Sequence, residues 1–207
     1  MIGGAAAAAV SLPDAQALPT NRPLAFRIMR FGTRIGTHTV DFKQDGTTTH
    51  VIVSARILVR IAYIPVFRYV MHLEETWRAA TFDRFHSATN DDGKPCRAQG
   101  DRKGSGLIVQ GSGLIPYVAP ADALPTTYWN KRMLDGPMIN GQTGRMLHPV
   151  VSRMGMVDLP SAGTPIPARH YRLSGDLKLD LYYDRQDIWA GLGFDAMDGS
   201  RVTYERL

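Results

Sequence analysis

The sequence predicts a mainly β fold: an antiparallel sheet curled into an incomplete, or half, barrel, with one or two short helices. Three observations predict it. Val51, Val53, Ala55, Ile57, Val59 and Ile61, then Phe67, Tyr69, Met71, Leu73 and Trp77, fall on every second position, with Ser54, Arg56, Arg60, Arg68, His72 and Glu74 between them. A period of two puts one face of a strand in a core and the other in water. Turn chemistry recurs at Asp45-Gly46, Asn90-Asp91-Asp92-Gly93, Asn140-Gly141 and Asp198-Gly199, where Asn, Asp and Gly tolerate positive φ. Strand then follows strand through short connections, which favours antiparallel neighbours.

The chain begins MIGGAAAAAV and reaches Ala15-Gln16-Ala17, a small apolar run ending in an A-x-A cleavage pattern. It is similar to the middle and end of a twin-arginine export signal, with the arginine pair expected upstream of Met1. Residues 1–17 are therefore set apart from the fold, and 18–207 is read as a single β domain. The expected location is the periplasm. The run is too short to span a membrane, which takes about 20 apolar residues.

Residues 24–31 form a first strand with Leu24, Phe26 and Ile28 on one side, and His38, Val40 and Phe42 continue the alternation after a turn flanked by Gly32 and Gly36. The long alternating run is too long for one strand. It divides into strands over 48–62 and 66–79, with the break placed at 63–65 because Pro65 lacks a ladder donor. Strands over 82–89, 94–98 and 107–110 follow, with a solvated basic turn at 100–104. Residues 112–125, rich in Gly, Pro and Ala, read as a loop. Residues 126–134 are expected to form a short helix capped by Thr126 or Thr127, with Lys131 and Arg132 in its last turn. A strand is expected over 145–154 and a turn-rich link over 155–165. One clean strand is expected over 169–184, with Leu173, Leu177, Leu179, Leu181 and Tyr183 on one face. Ile188, Ala190, Leu192 and Phe194 continue the alternation, and a final strand turns Val202 and Tyr204 inward.

Composition narrows the function. The 207-residue chain is 44% hydrophobic, enough for one well-cored domain, and its net charge is +5. The arginines alternate with apolar residues instead of forming runs, so a solvated face is expected and no nucleic-acid partner. Cys96 is the only cysteine, so no internal disulfide can form. The six histidines lie apart, none at metal-ligand spacing, and no nucleophile elbow is present. No metal, cofactor or catalytic residue is assigned.

The residues that stand out are polar or aromatic. Glu75 shares a face with Leu73 and Trp77, and a buried carboxylate needs a partner or a proton. It reads either as a polar anchor inside a cavity or as a structural residue paired with an arginine or backbone amides. Tyr128, Trp129 and Asn130 could cap the mouth of a barrel or plug one end of its core. Tyr69, Glu75, Trp77, Tyr128, Trp129 and Asn130 are the candidate ligand-binding residues.

The stretches Glu75-Thr76-Trp77, Ser87-Ala88-Thr89-Asn90, Thr127-Tyr128-Trp129-Asn130, Tyr171-Arg172-Leu173-Ser174-Gly175 and Leu181-Tyr182-Tyr183-Asp184 together resemble a family of exported proteobacterial proteins, domain of unknown function 6134. Thr143-Gly144 and Asp198-Gly199-Ser200 before Tyr204 add to the resemblance. The family is similar to incomplete-barrel, lipoprotein-carrier-like proteins. The resemblance implies an apolar concavity and no particular chemistry. Three functions follow as expectations. The first is a periplasmic carrier of a lipid-like or apolar ligand. The second is a cell-envelope component with a protein partner. The third is a hydrolase whose residues meet only in three dimensions, signalled by His72 or His170 beside a carboxylate in a cavity.

Overall fold

Burial alternates along much of the strands over 24–30, 48–61, 64–78, 81–91, 94–103 and 166–174, as the sequence spacing requires. The computed structural model describes Leu18 and residues 21–161 and 163–207, so the export reading of residues 1–17 lies outside the described residues. β1 (Leu24–Arg30), β2 (Thr33–Asp45), β3 (Thr48–Ile61) and β4 (Ile64–Arg78) form an antiparallel meander that β5 (Thr81–Asp91), β6 (Lys94–Lys103), β7 (Gly106–Gly111) and β8 (Tyr117–Pro120) extend. Three two-residue strands follow: β9 (Leu124–Pro125), β10 (Met138–Ile139) and β11 (Met146–Leu147). They make a separate small sheet in which β9 and β10 run parallel. The antiparallel course resumes with β12 (Val150–Leu159), β13 (Ile166–Ser174), β14 (Leu179–Asp184), β15 (Trp189–Asp195) and β16 (Arg201–Arg206). β16 pairs with β1, joining both halves into one 13-stranded sheet whose edges, β12 and β8, are not paired to each other. The sheet is curled and left open, as predicted.

The β3–β4 hairpin is its longest ladder. Val51 faces Glu75, Val53 faces Leu73 and Ala55 faces Met71, and all six are buried. The hairpin turns at Ala62 and Tyr63, both at positive φ, and not at Pro65. Pro65 lies inside β4 opposite Arg60, next to a register shift. An irregularity of this kind tolerates a residue without a backbone donor.

Other expectations are corrected. The expected loop over 112–125 contains β8 and β9. The expected link over 155–165 is strand as far as Leu159, because β12 bends at Gly155 and keeps pairing with β13. The single strand over 169–184 is two strands, parted by a turn beginning at Gly175 with φ +84°. Among the described residues the only helical piece is a 3₁₀ turn, Lys131–Asp135. Its cap is Asn130, whose side chain accepts from the Arg132 amide at 3.1 Å, and not Thr126 or Thr127.

The segment between β8 and β12 packs into the hollow of the sheet. Trp129, Met133, Met138 and Ile139 are buried in the same cluster as Phe26, Trp77, Phe85 and Trp189. Close docking depends on Gly111, where a Cβ would meet the Thr143 carbonyl oxygen at 2.0 Å. Burial of each large side chain contributes about 2–3 kcal/mol, so this insert is core and not a loose cover.

Candidate functional site: an apolar cavity open at one end

The insert fills one end of the hollow and leaves the other open. Inward residues of β3 (Ala55, Ile57, Val59) and β4 (Phe67, Tyr69, Met71) form one wall of a cavity of about 630 Å³. Leu192, Val202 and Tyr204, from β15 and β16, form another. The insert adds Thr126, Tyr128 and the 140–142 turn, and Arg30, Asp91, Lys178 and Asp198 stand among the lining residues near strand ends. The period-two pattern that predicted the strands thus builds the cavity walls directly.

Of the candidate residues, the structure brings Tyr69 and Tyr128 to this cavity. The Tyr69 hydroxyl donates to Gln142 Oε1 at 3.4 Å, and burial pushes its pKa well above the ordinary value. Burial also pushes the Tyr128 phenol up to about 12. Both phenols therefore stay protonated. Tyr128 holds φ +67°, a conformation uncommon for a bulky side chain. That twist places its ring against the cavity while its flanking residues, Thr127 and Trp129, turn towards one carboxylate.

That carboxylate is Glu75. It lies below the cavity, buried with Trp77, Trp129 and Asn130, and none of these four lines the space. Thr127 Oγ1 donates to Glu75 Oε1 at 2.6 Å. The Trp77 and Trp129 indoles donate to Oε2 at 2.6 and 3.1 Å. The partners are therefore two indoles and a hydroxyl, and not the arginine or backbone amides expected of a structural carboxylate. Burial pushes the Glu75 carboxyl up to about 7, against the three hydrogen bonds that favour its charged form. The Trp77 and Trp129 rings meet edge-on at 5.5 Å. These groups tie the insert to β4, and Trp129 and Asn130 are both buried.

His38, on the alternating face with Val40 and Phe42, is not among the candidate ligand-binding residues. It borders the cavity yet is only 2% exposed, and neither ring nitrogen has a hydrogen-bond partner. Phe26, Trp189 and Tyr204 surround the ring. Burial pushes its pKa down to about 3, so the imidazole is neutral. The signal was present: His38 shares the inward register of Val40.

The histidine–carboxylate pairs lie elsewhere. His72 Nε2 sits 3.0 Å from Glu74 on the exposed face. His170 Nε2 sits 2.6 Å from Asp180 Oδ1, on the face of β14 opposite Leu181 and Tyr183. Asp180 also accepts from Arg172 and Arg201. It borders a cleft of about 230 Å³ whose lining holds neither His170 nor a hydroxyl or thiol side chain. Among the described residues, no group of three His, Cys, Asp or Glu is placed to hold a metal. No described helix is long and apolar enough to cross a membrane.

The family model described as Domain of unknown function (DUF6134) matches residues 26–207. Among solved structures, a β-barrel-like protein of domain of unknown function DUF1849 from Brucella abortus is similar. The two share 10% identity over 89% of this chain and 94% of that one, with a TM-score of 0.57. At that identity the likeness is one of fold. No curated protein matches this chain.

Proposed function

We propose that this chain, which belongs to the DUF6134 family, binds and carries a lipid-like or other apolar small molecule in the half-open cavity. One observation supports the reading above the others: an apolar space of about 630 Å³ walled by alternate residues of β3, β4, β15 and β16. Small-molecule sites commonly enclose about 300–1,000 Å³ and are lined by apolar and aromatic groups with a few polar ones. Ligand affinity would come from burying apolar area, at about 25 cal/mol per Å² before the costs of association. Tyr69 and Tyr128 would orient the ligand. Glu75, Trp77, Trp129 and Asn130 would shape the closed end without touching it. The Ala-rich leader supports placing this carrier in the periplasm.

Native mass spectrometry and solvent extraction of freshly purified protein test the reading, together with uptake of a dansylated fatty acid. A co-purifying apolar molecule, and saturable uptake reduced by Ile57→Trp, are expected. An empty protein that takes up no probe would overturn it.

A second reading, an envelope component with a protein partner, draws on β12. This edge strand exposes Val150, Met154 and Met156, and open edges invite strand pairing. Cross-linking in cells through β12 that captures no neighbour would remove it.

A further inference from the structure

The most exposed large apolar side chains of the two adjacent hairpin tips are not scattered. Phe31, at 79% exposure, occupies the β1–β2 turn. Ile61, Tyr63, Ile64 and Val66 occupy the β3–β4 tip, with Tyr63 at 95%. The ladders make these tips neighbours, since β2 pairs with both β1 and β3. Arg30 then ties the first tip to the β15–β16 turn by hydrogen bonds to Ser200 and Asp198. That turn carries the fully exposed Met197.

The tips are also basic. Residues 30–34 read RFGTR and residues 60–68 read RIAYIPVFR: four arginines and no carboxylate. Arg30 pairs with Asp198, whereas Arg34, Arg60 and Arg68 form no ion pair among the described residues.

Folding does not explain the apex. Ala62 and Tyr63 sit at φ +46° and +72°, where Asn-Gly would relieve the strain. An aromatic residue held there, nearly bare, stabilises nothing beneath it. The β3–β4 tip also leads into the cavity, because Val59 and Phe67, a few residues below the apex, are cavity-lining residues.

We propose that the β1–β2 and β3–β4 tips dock onto an anionic phospholipid surface. Phe31, Ile61, Tyr63 and Ile64 enter the headgroup boundary, and Arg34, Arg60 and Arg68 meet lipid phosphates. Amphipathic surfaces with aromatic and aliphatic tips and a cationic collar bind such interfaces, each cation adding to the attraction. Docking rests on the chemistry of the tips. Its consequence, exchange of an apolar ligand between bilayer and cavity without crossing water, rests on the carrier reading.

Flotation of the full chain with vesicles tests the proposal. The protein is expected to float with phosphatidylglycerol–phosphatidylcholine vesicles, and much less with phosphatidylcholine alone. Tyr63→Asn with Ile64→Thr keeps a turn-compatible, strand-compatible tip and is expected to weaken binding about tenfold or more. Arg60→Glu with Arg68→Glu is expected to do the same. A Tyr63→Trp reporter is expected to shift its emission to the blue on anionic vesicles. No flotation, flotation unmoved by all tip variants, or a solution dimer that the tip variants dissolve would overturn it. Dansyl fatty acid uptake measured without vesicles separates the two readings. Flotation without uptake leaves docking and removes the carrier, and uptake without flotation does the reverse.

Discussion

The indole nitrogen of Trp129 donates to Glu75 at 3.1 Å, tying two residues 54 positions apart. Trp77 donates to the same oxygen from the strand that carries Glu75. The contact joins the insert to the sheet. Removing the carboxylate would leave two indole donors without their partner and the Thr127 hydroxyl with only the Pro125 carbonyl, at 3.4 Å. A Glu75→Leu variant is therefore expected to lose about 3–5 kcal/mol.

Glu75→Gln should behave differently, because an amide can satisfy the same groups. Its oxygen can accept from both indoles, and its nitrogen can donate to Thr127 Oγ1. The variant mimics the protonated acid. The folded carboxyl titrates near 7, whereas an unfolded one titrates near 4.5. Between these values the folded state holds the extra proton, so stability falls as pH rises, by on the order of 3 kcal/mol in all. Above pH 7 the contribution is flat. Urea denaturation at about pH 5 and pH 8 is expected to show near-equal stability at the lower pH and a more stable Gln variant at the higher. Parallel pH profiles for the two proteins would contradict this account.

The walls of the cavity were legible because burial on one face imposes alternation on residues 51–77, and no other regular structure shares that period. The turn at Gly175 was hidden for a related reason. Leu173, Leu177 and Leu179 keep an apolar alternation straight through it, so spacing alone reads one strand. β8 was hidden by its brevity and by Pro120. The Glu75 site was half legible. Its position showed an acid on a buried face, but its partners arrive from an insert whose docking depends on contacts such as Gly111 against Thr143. Those contacts join distant parts of the chain and leave no local pattern.

His38 carries the opposite pH dependence. The folded ring resists protonation down to about pH 3, while an unfolded histidine takes a proton near 6.5. Stability is therefore complete above 6.5 and falls towards pH 3, by about 1.4 kcal/mol per unit. This overlaps the Glu75 window with the reverse sign, so the wild-type profile should be flatter than either contribution. His38→Phe keeps a ring against Trp189 and Phe26 and removes two unpartnered nitrogens. It is expected to be neutral or stabilising by about 1 kcal/mol at pH 7 and to lose the acid-side slope. A large loss of stability at pH 7 would contradict this account.

Asp180 tests whether the outer ionic cluster is structural. Burial alone would raise its pKa, but hydrogen bonds from His170, Arg201 and Arg172 outweigh it and hold the carboxyl at about 2. The ties run from β14 to β13 and β16, bracketing the strands that form the second cavity wall. Asp180→Asn keeps the shape and removes the charge that both arginines face. The expected cost at pH 7 is about 1–2 kcal/mol, reduced because Arg172 and Arg201 are substantially exposed and solvent screens them. The folded pKa is depressed, so this stability is complete above an unfolded value of 3.8 and is lost as pH falls towards 2. The gap between wild type and variant should therefore close on acidification through that window, as read by urea denaturation. A variant as stable as wild type at pH 7 would show that the cluster contributes nothing to the fold.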